Sequence, residues 1–399
     1  ERNGESLVTT CKSDIERALK EENETKFRLA YQECLFLQQP LLGQLGQTAT
    51  NATADTILQG NFSFPSTMNR YTKRFIKLLK TPKKIQQLGS NDDVITTKQS
   101  LQYWKKKCER TSSSISGKHI GTYKACTKDL RLLQIQNTIT DLSYRLGYTL
   151  NRWKQDLDVT LLKKPGKIRP QDMRTIGQLE ADFNQGASLH FGKRMMETAI
   201  QCNAVSPSQY AKQGSRSIEG ALVKVLYFDY LRINKKLNGT FAAMDLMQCF
   251  DRMAHPVSSL CSQRLGVPKN IVKTMINTLT SMQHFIRTAY RDSEERYGGQ
   301  DEMHPLQGAV QGNGAASPMF IAISCVLLEF LSYYADGFQI VTAITLTTLT
   351  IIAVMYVDDT DLMVSATSHH EPITNLLRRT QHSIKIWRNA VIQTGGALR

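Results

Sequence analysis

The 399-residue sequence predicts an α+β fold, with a helical N-terminal region leading into a small antiparallel sheet flanked by helices. Three observations carry this expectation. Residues 1 to about 150 read as charged helices, for example 13–37 and 98–108. From residue 159 onward, short β-branched runs alternate with helical stretches. Those runs end at Pro-Gly, at Gly-rich segments or at acidic residues, which punctuate strands rather than helices. With 41% hydrophobic residues, a chain of this length has room for two or three lobes with their own cores.

Taken in order, the helical region contains a serine-rich loop, Thr111 to Gly117, followed by Lys118-His119-Ile120-Gly121-Thr122-Tyr123-Lys124. This is a basic surface suited to phosphate. His119 within it reads as a packed or hydrogen-bonded histidine rather than a catalyst. Next, Val159–Leu162 runs into Lys163-Lys164-Pro165-Gly166-Lys167 and then Ile168-Arg169-Pro170, a hairpin turning at Pro-Gly. The hairpin projects Lys163, Lys164 and Lys167, with Arg169 and Arg174 close behind. Five cations on one ribbon would fit a triphosphate or a template backbone. They would equally suit a solvated edge strand that uses lysines to block sheet-to-sheet pairing.

A helix over Ser217–Lys236 precedes Gly239–Met244, which reads as a buried strand ending at Asp245. Asp251 is placed to cap a helix through Met253 and His255. Gln307 to Gly314 is a glycine-rich loop opening a second helix, with Ser317 as N-cap and Pro318 as first helical residue. Ile340 to Met355 is one long β-branched run, read as an apolar strand that delivers Tyr356-Val357-Asp358-Asp359.

Composition narrows the partners. A formal charge of +15 and a pI near 9.4 predict a polyanion, nucleic acid before membrane. The eight cysteines contain no Cys-x-x-Cys, which excludes zinc-knuckle spacing and makes a disulfide framework a poor fit at this size. They read as reduced intracellular thiols, so the sequons at Asn51 and Asn238 carry no meaning. No signal peptide opens the chain. The one membrane-like stretch, Ile340 to Val357, contains five threonines and ends in two aspartates, which argues for strand rather than a spanning helix. A start at Glu1 and an abrupt stop at Arg399 lead us to expect a fragment.

Chemistry concentrates in the carboxylates. Asp358 and Asp359, adjacent at the end of an apolar strand, resist ionising together. A divalent cation relieves that repulsion, and oxygen donors beside substrate phosphates suit Mg2+. Alone, the tetrapeptide could equally be a polar hairpin tip. Asp245 repeats its logic, although by itself it could be a cap. Two such strands side by side would gather Asp245, Asp358 and Asp359 around two metals, the clamp used in nucleotidyl transfer. The glycine loop can approach a nucleotide closely, with Gln311 hydrogen-bonding it.

In this order and spacing the segments resemble the reverse transcriptase family. Asp245-Leu-Met-Gln-Cys-Phe250-Asp251 looks like its first palm motif, Gln311-Gly312 through Ser317-Pro318 like the second, and Tyr356–Asp359 like the third. Leu162–Gly166 and Met173-Arg174-Thr-Ile176 look like fingers motifs, and Thr394–Leu398 like the lead into the fourth palm motif. The likeness covers roughly 155–399. It is greatest to non-LTR retroelement enzymes of the type abundant in diatoms, whose Ser-Gly-x-His-x-Gly-x-Tyr-Lys segment resembles Ser116–Lys124.

The resemblance implies a right-hand polymerase: helical region 1–155, fingers 156–238, and palm 239–399, with 256–305 partly fingers or connection and the thumb absent. It implies RNA-directed DNA polymerase activity with two Mg2+ ions, or Mn2+ in their place, held by Asp245, Asp358 and Asp359. Phe250 would be the gate that excludes a 2′-hydroxyl. Arg174 and Lys163 or Lys164 would pair with the triphosphate, while Gln311, Gly312 and Tyr356 would line the nucleotide site. Asp251 and Asp361 would be structural. Partners would be an RNA template, a DNA primer and dNTPs, in a ribonucleoprotein with the element's own RNA, and the site of action the nucleus. Two departures stand out. Gln311 and Ser317 are six residues apart, one more than the commonest non-LTR pattern, and the lysine expected after Gly395-Gly396 would fall beyond Arg399. The alternatives are an RNA-dependent RNA polymerase, which should carry a small or polar residue at 250, and a decayed element that grips nucleic acid without catalysis.

Overall fold

The computed structural model describes residues 8–89, 91, 93–111, 114–212 and 214–398; Ser112 and Ser113 of the serine-rich loop lie outside them. Helix outweighs strand, 51% to 14%, so small sheets are covered by helices in a mixed α+β arrangement.

The described residues up to about 150 are mainly helical, as expected. The helix Lys12–Arg28 is shorter than predicted and continues as 3-10 turns over Leu29–Gln32 and Leu35–Leu37. Helix Thr97–Lys106 starts with a reciprocal cap between Thr96 and Gln99. Helix Leu130–Arg145 starts with the Asp129 carboxylate accepting from the Arg131 and Leu132 amides.

The described residues form the strands β1 (Gln155–Leu162), β2 (Met173–Gly177), β3 (Gly239–Met244), β4 (Gln283–Thr288), β5 (Arg291–Tyr297), β6 (Phe338–Val341), β7 (Thr348–Ile351), β8 (Ala353–Tyr356) and β9 (Asp359–Ser365). A four-stranded sheet runs β2-β1-β4-β5, in which β1 and β4 are parallel and the outer pairs antiparallel. A three-stranded antiparallel sheet runs β3-β9-β8, and β6-β7 is a separate hairpin.

Four expectations need correction. The run Ile340–Met355 is not one strand: it folds back at Thr342–Thr347 to make β6 and β7, and only β8 delivers the acidic turn. Strand β3 is not buried; it is the sheet edge, alternating exposed and half-buried positions. The Lys163 hairpin does turn through Gly166 (φ +78), but β2 begins at Met173, so 163–172 form a longer loop. The helix after the glycine loop starts at Ala316 rather than Pro318. Its N-cap, Ala315, brings no side-chain cap; Asn313 Oδ1 accepts from the Ala315 amide at 2.9 Å in the turn just ahead of the helix.

One continuous hydrophobic core joins the N-terminal helices to the rest, through residues such as Phe36, Phe75, Trp153, Phe183 and Trp387. Its centre is the helix Ala316–Tyr334, packed between the helices His255–Arg264 and Ile373–Ile392. By length and apolarity this helix could cross a membrane, yet 72% of its most apolar window is buried within the fold. A helix apolar all round is what a protein interior requires.

Candidate active site

The acidic residues meet because of sheet register. Strand β3 pairs with β9 so that Met244 lies opposite Thr360, and one step further along the chain brings Asp245 towards Asp359. Strands β8 and β9 form a hairpin closed by Tyr356 and Asp359, with Val357 and Asp358 at its tip. The Asp358 carboxyl is pushed above the usual carboxylate range, first by burial and then by the negative charges of Asp359 and Asp245; its own backbone amide and Arg174 oppose the shift. The Cys249 thiol beneath them is pushed up by burial and by Asp358, Asp251 and Asp245. These groups therefore share one electrostatic field. Asp245 and Asp359 are exposed and Asp358 half-buried. Their carboxylate oxygens are not all within 4.8 Å of one another.

The hairpin tip is held in an unfavourable conformation. Val357 has φ +56, a left-handed geometry costly for a β-branched residue. Gln209, fully buried, grips both sides of that peptide: its Nε2 donates to the Val357 carbonyl at 3.3 Å, and its Oε1 accepts from the Val357 amide at 3.3 Å. The Ser324 hydroxyl and the Ala211 amide complete its hydrogen bonds. Segment 208–210 also bridges to Met355 on β8. Nothing in the sequence marks Gln209, which sits in a loop without periodicity. In the other acid-bearing turn, Gln248 is likewise left-handed, at φ +50.

The residues after Asp245 form the floor. Cys249–Arg252 is a 3-10 turn from which Phe250 packs edge-on against Phe320, 6.2 Å between centroids. Asp251 caps no helix. It is buried and pairs with Lys26 of the N-terminal helix at 3.4 Å, a structural role of another kind. Residues 394–398 line the same floor, with Leu398 bridging Leu246 and the Gly395 carbonyl accepting from Arg252.

The glycine loop packs on that floor and on β2. The amides of Gly308 and Ala309 bond the Met253 and Phe250 carbonyls, and buried His255 bonds the Gly308 carbonyl at 2.8 Å. The Gln311 carbonyl accepts from the Gly177 amide at 2.7 Å, so its backbone ties the loop to β2. Gly312, at φ +115, faces the Gly177 carbonyl so closely that a Cβ would collide with it. Asn184 then clasps Gly312 and Gly314 from the side.

Among the cations, Arg174 reaches the acids' field from β2, and Lys163 acts on Asp251. Lys164 is exposed on the loop, and Tyr356 is 46% exposed beside the turn. Asp361, two residues along β9 from Asp359, pairs with Lys224 at 2.6 Å. His119 caps the helix Ile120–Cys126 through the Gly121 amide, a hydrogen-bonded role.

Sequence reasoning missed a second group. Asp156 and Asp158 on β1 and His284 on β4 are buried with their ligand atoms within 4.8 Å of one another, the one such group among the described residues. Acids at i and i+2 in an otherwise apolar strand were the available signal. No protein-family model matches the chain, and no curated protein matches it in sequence.

Proposed function

We propose that this chain is the catalytic part of an RNA-directed DNA polymerase of the non-LTR retroelement type, adding deoxynucleotides to a primer 3′-hydroxyl. The observation that carries this reading is the register of β3, β9 and β8, which puts Asp245 and the Asp358-Asp359 turn on neighbouring strands under one field, with Arg174 opposing it. In this reading β3, β8 and β9 are the palm, and β1 and β2 belong to the fingers.

The acids suit the metal the reaction uses. Burial, and then the charges of Asp359 and Asp245, push the Asp358 carboxyl above its ordinary range, and a hard divalent cation would offset both. Asp245, Asp358 and Asp359 would hold the two Mg2+ ions, which activate the primer hydroxyl and neutralise the pyrophosphate when bound. The chain's own groups position the rest. Arg174 pairs with the triphosphate, with Lys163 behind it. Phe250, braced by Phe320, puts an apolar ring where a 2′-hydroxyl would have to be desolvated. The glycine loop presents Gln311 and Gly312 to the base and its template partner. A net charge of +15 fits a nucleic-acid substrate.

The test is primer extension on poly-rA with oligo-dT, comparing dTTP with UTP. Extension by dTTP alone supports the assignment. Equal use of UTP would move it to an RNA-dependent RNA polymerase, and binding of primer-template without extension to a non-catalytic nucleic-acid-binding protein.

A further inference from the structure

We propose that Asp156, Asp158 and His284 form a structural metal site for a divalent cation of the zinc class, separate from Asp245, Asp358 and Asp359. It is built by pairing alone. Asp156 and Asp158 share one face of β1, the parallel partner β4 puts His284 opposite Asp156, and β5 puts Tyr297 opposite His284. The N-terminal helix covers this face, so that Asp156, Asp158 and His284 are 0%, 1% and 3% exposed.

Burial pulls the His284 imidazole down, but Asp158 and Asp156 outweigh it and push it up to about 10, so an imidazolium is the rival occupant and the geometry has to separate the two. The His284 Nδ1 lies 3.3 Å from Asp156 Oδ2 and 3.3 Å from Asp158 Oδ2, yet it forms a hydrogen bond with neither. An imidazolium between carboxylates would close on one of them at about 2.7–2.9 Å. Equal separations suit three donors facing a common centre. A tetrahedral ion with bonds of about 2.0–2.1 Å sets its ligands about 3.3–3.4 Å apart. Asp156 Oδ2 and Asp158 Oδ1 also lack hydrogen-bond partners although buried. Gly177 is needed on β2, because a Cβ there would collide with Asp156 Oδ2.

The surroundings orient these donors. The Leu157 amide donates to Asp156 Oδ1 at 2.9 Å, and the Tyr297 hydroxyl donates to Asp158 Oδ2. Asn23 and Thr175 extend that chain, with Asn23 Nδ2 donating to the Tyr297 hydroxyl at 3.0 Å. The rings of Phe27 and Tyr297 stack with His284, fixing its plane. Outer contacts of this kind hold metal ligands in place. One imidazole and two carboxylates suit zinc or cobalt better than magnesium, which prefers an all-oxygen octahedral shell. Buried at this depth, the ion's role is to staple β1 and β4 beneath the N-terminal helix.

The full chain, purified without a metal-binding tag, is assayed for bound metal by mass spectrometry, for the visible spectrum of its Co2+-substituted form, and for melting temperature with and without chelator. We expect one equivalent of zinc per chain to survive dialysis, a tetrahedral Co2+ spectrum, and a melting temperature roughly 5 °C lower after chelation. Asp156→Asn should weaken Zn2+ binding at least about 100-fold, while Asp358→Asn should retain it. Wild-type protein that folds without stoichiometric zinc and melts alike with and without chelator would overturn the site, with no variant needed. So would zinc that stays in Asp156→Asn but leaves Asp358→Asn.

Discussion

Gln209 offers the sharpest test of how the acidic turn is held. Gln209→Leu keeps the buried volume but removes four hydrogen bonds: to Ser324, to the Ala211 amide and to both sides of the Val357 peptide. The fully buried Ser324 hydroxyl keeps its donation to the Ile321 carbonyl at 2.8 Å and loses only the bond it accepts from Gln209, about 0.5–1.5 kcal/mol. Val357 and Ala211 are half-buried and recover water in part, which puts the total near 1–3 kcal/mol. Without the clamp, the left-handed Val357 releases about 1–3 kcal/mol of strain by changing conformation, and it carries Asp358 with it. A displacement near 1 Å would cost about 100-fold in rate. Urea denaturation reads the first effect and single-turnover primer extension the second. Adding Val357→Gly, which adopts φ +56 without strain, should recover much of the rate while leaving the stability loss in place. Extension by Gln209→Leu at the wild-type rate, or no recovery with Val357→Gly, would refute the reasoning.

Three further perturbations follow from the same contacts. Lys26→Met leaves the buried Asp251 carboxylate without its partner and should cost about 3–5 kcal/mol in urea denaturation, whereas Lys26→Met with Asp251→Asn should recover most of it. Gly312→Ala places a Cβ against the Gly177 carbonyl at φ +115, so the loop should lift from β2; we expect at least about 2 kcal/mol lost and extension reduced more than primer-template binding. Burial pushes His255 down to about 4 from an ordinary 6.5, so it is neutral in the fold and charges more readily when unfolded. Stability present above pH 6.5 should therefore fall as pH drops from about 6.5 to about 4, by about 3 kcal/mol, and His255→Gln should abolish that part of the pH dependence.

Much of the site was legible because each acid follows a short apolar run, a local pattern that survives without knowledge of the fold. What escaped depended on distant partners or unusual turns. Residues 340–355 read as one strand because no Gly, Pro, Asn or Asp interrupts them. Their turn is made instead by left-handed Leu346 (φ +52) and by Thr342, whose hydroxyl accepts from the Thr347 amide. Asp251 looked like a helix cap because its true partner, Lys26, lies in the N-terminal helix. Ser317 is not the N-cap because the helix begins a residue before it, at Ala316. Asp156, Asp158 and His284 meet through the parallel pairing of β1 with β4, strands far apart in sequence whose register no local pattern announces.

The central claim is that Asp245, Asp358 and Asp359 form a nucleotidyl-transfer centre. Its most direct measurement is the single-turnover rate of dTTP addition on poly-rA with oligo-dT at saturating Mg2+, for wild type and Asp358→Ala side by side. Loss of a metal-holding carboxylate removes several kcal/mol of transition-state stabilisation, so the rate should fall roughly 1,000-fold while primer-template affinity stays within a few-fold. Equal rates in the two proteins would contradict it.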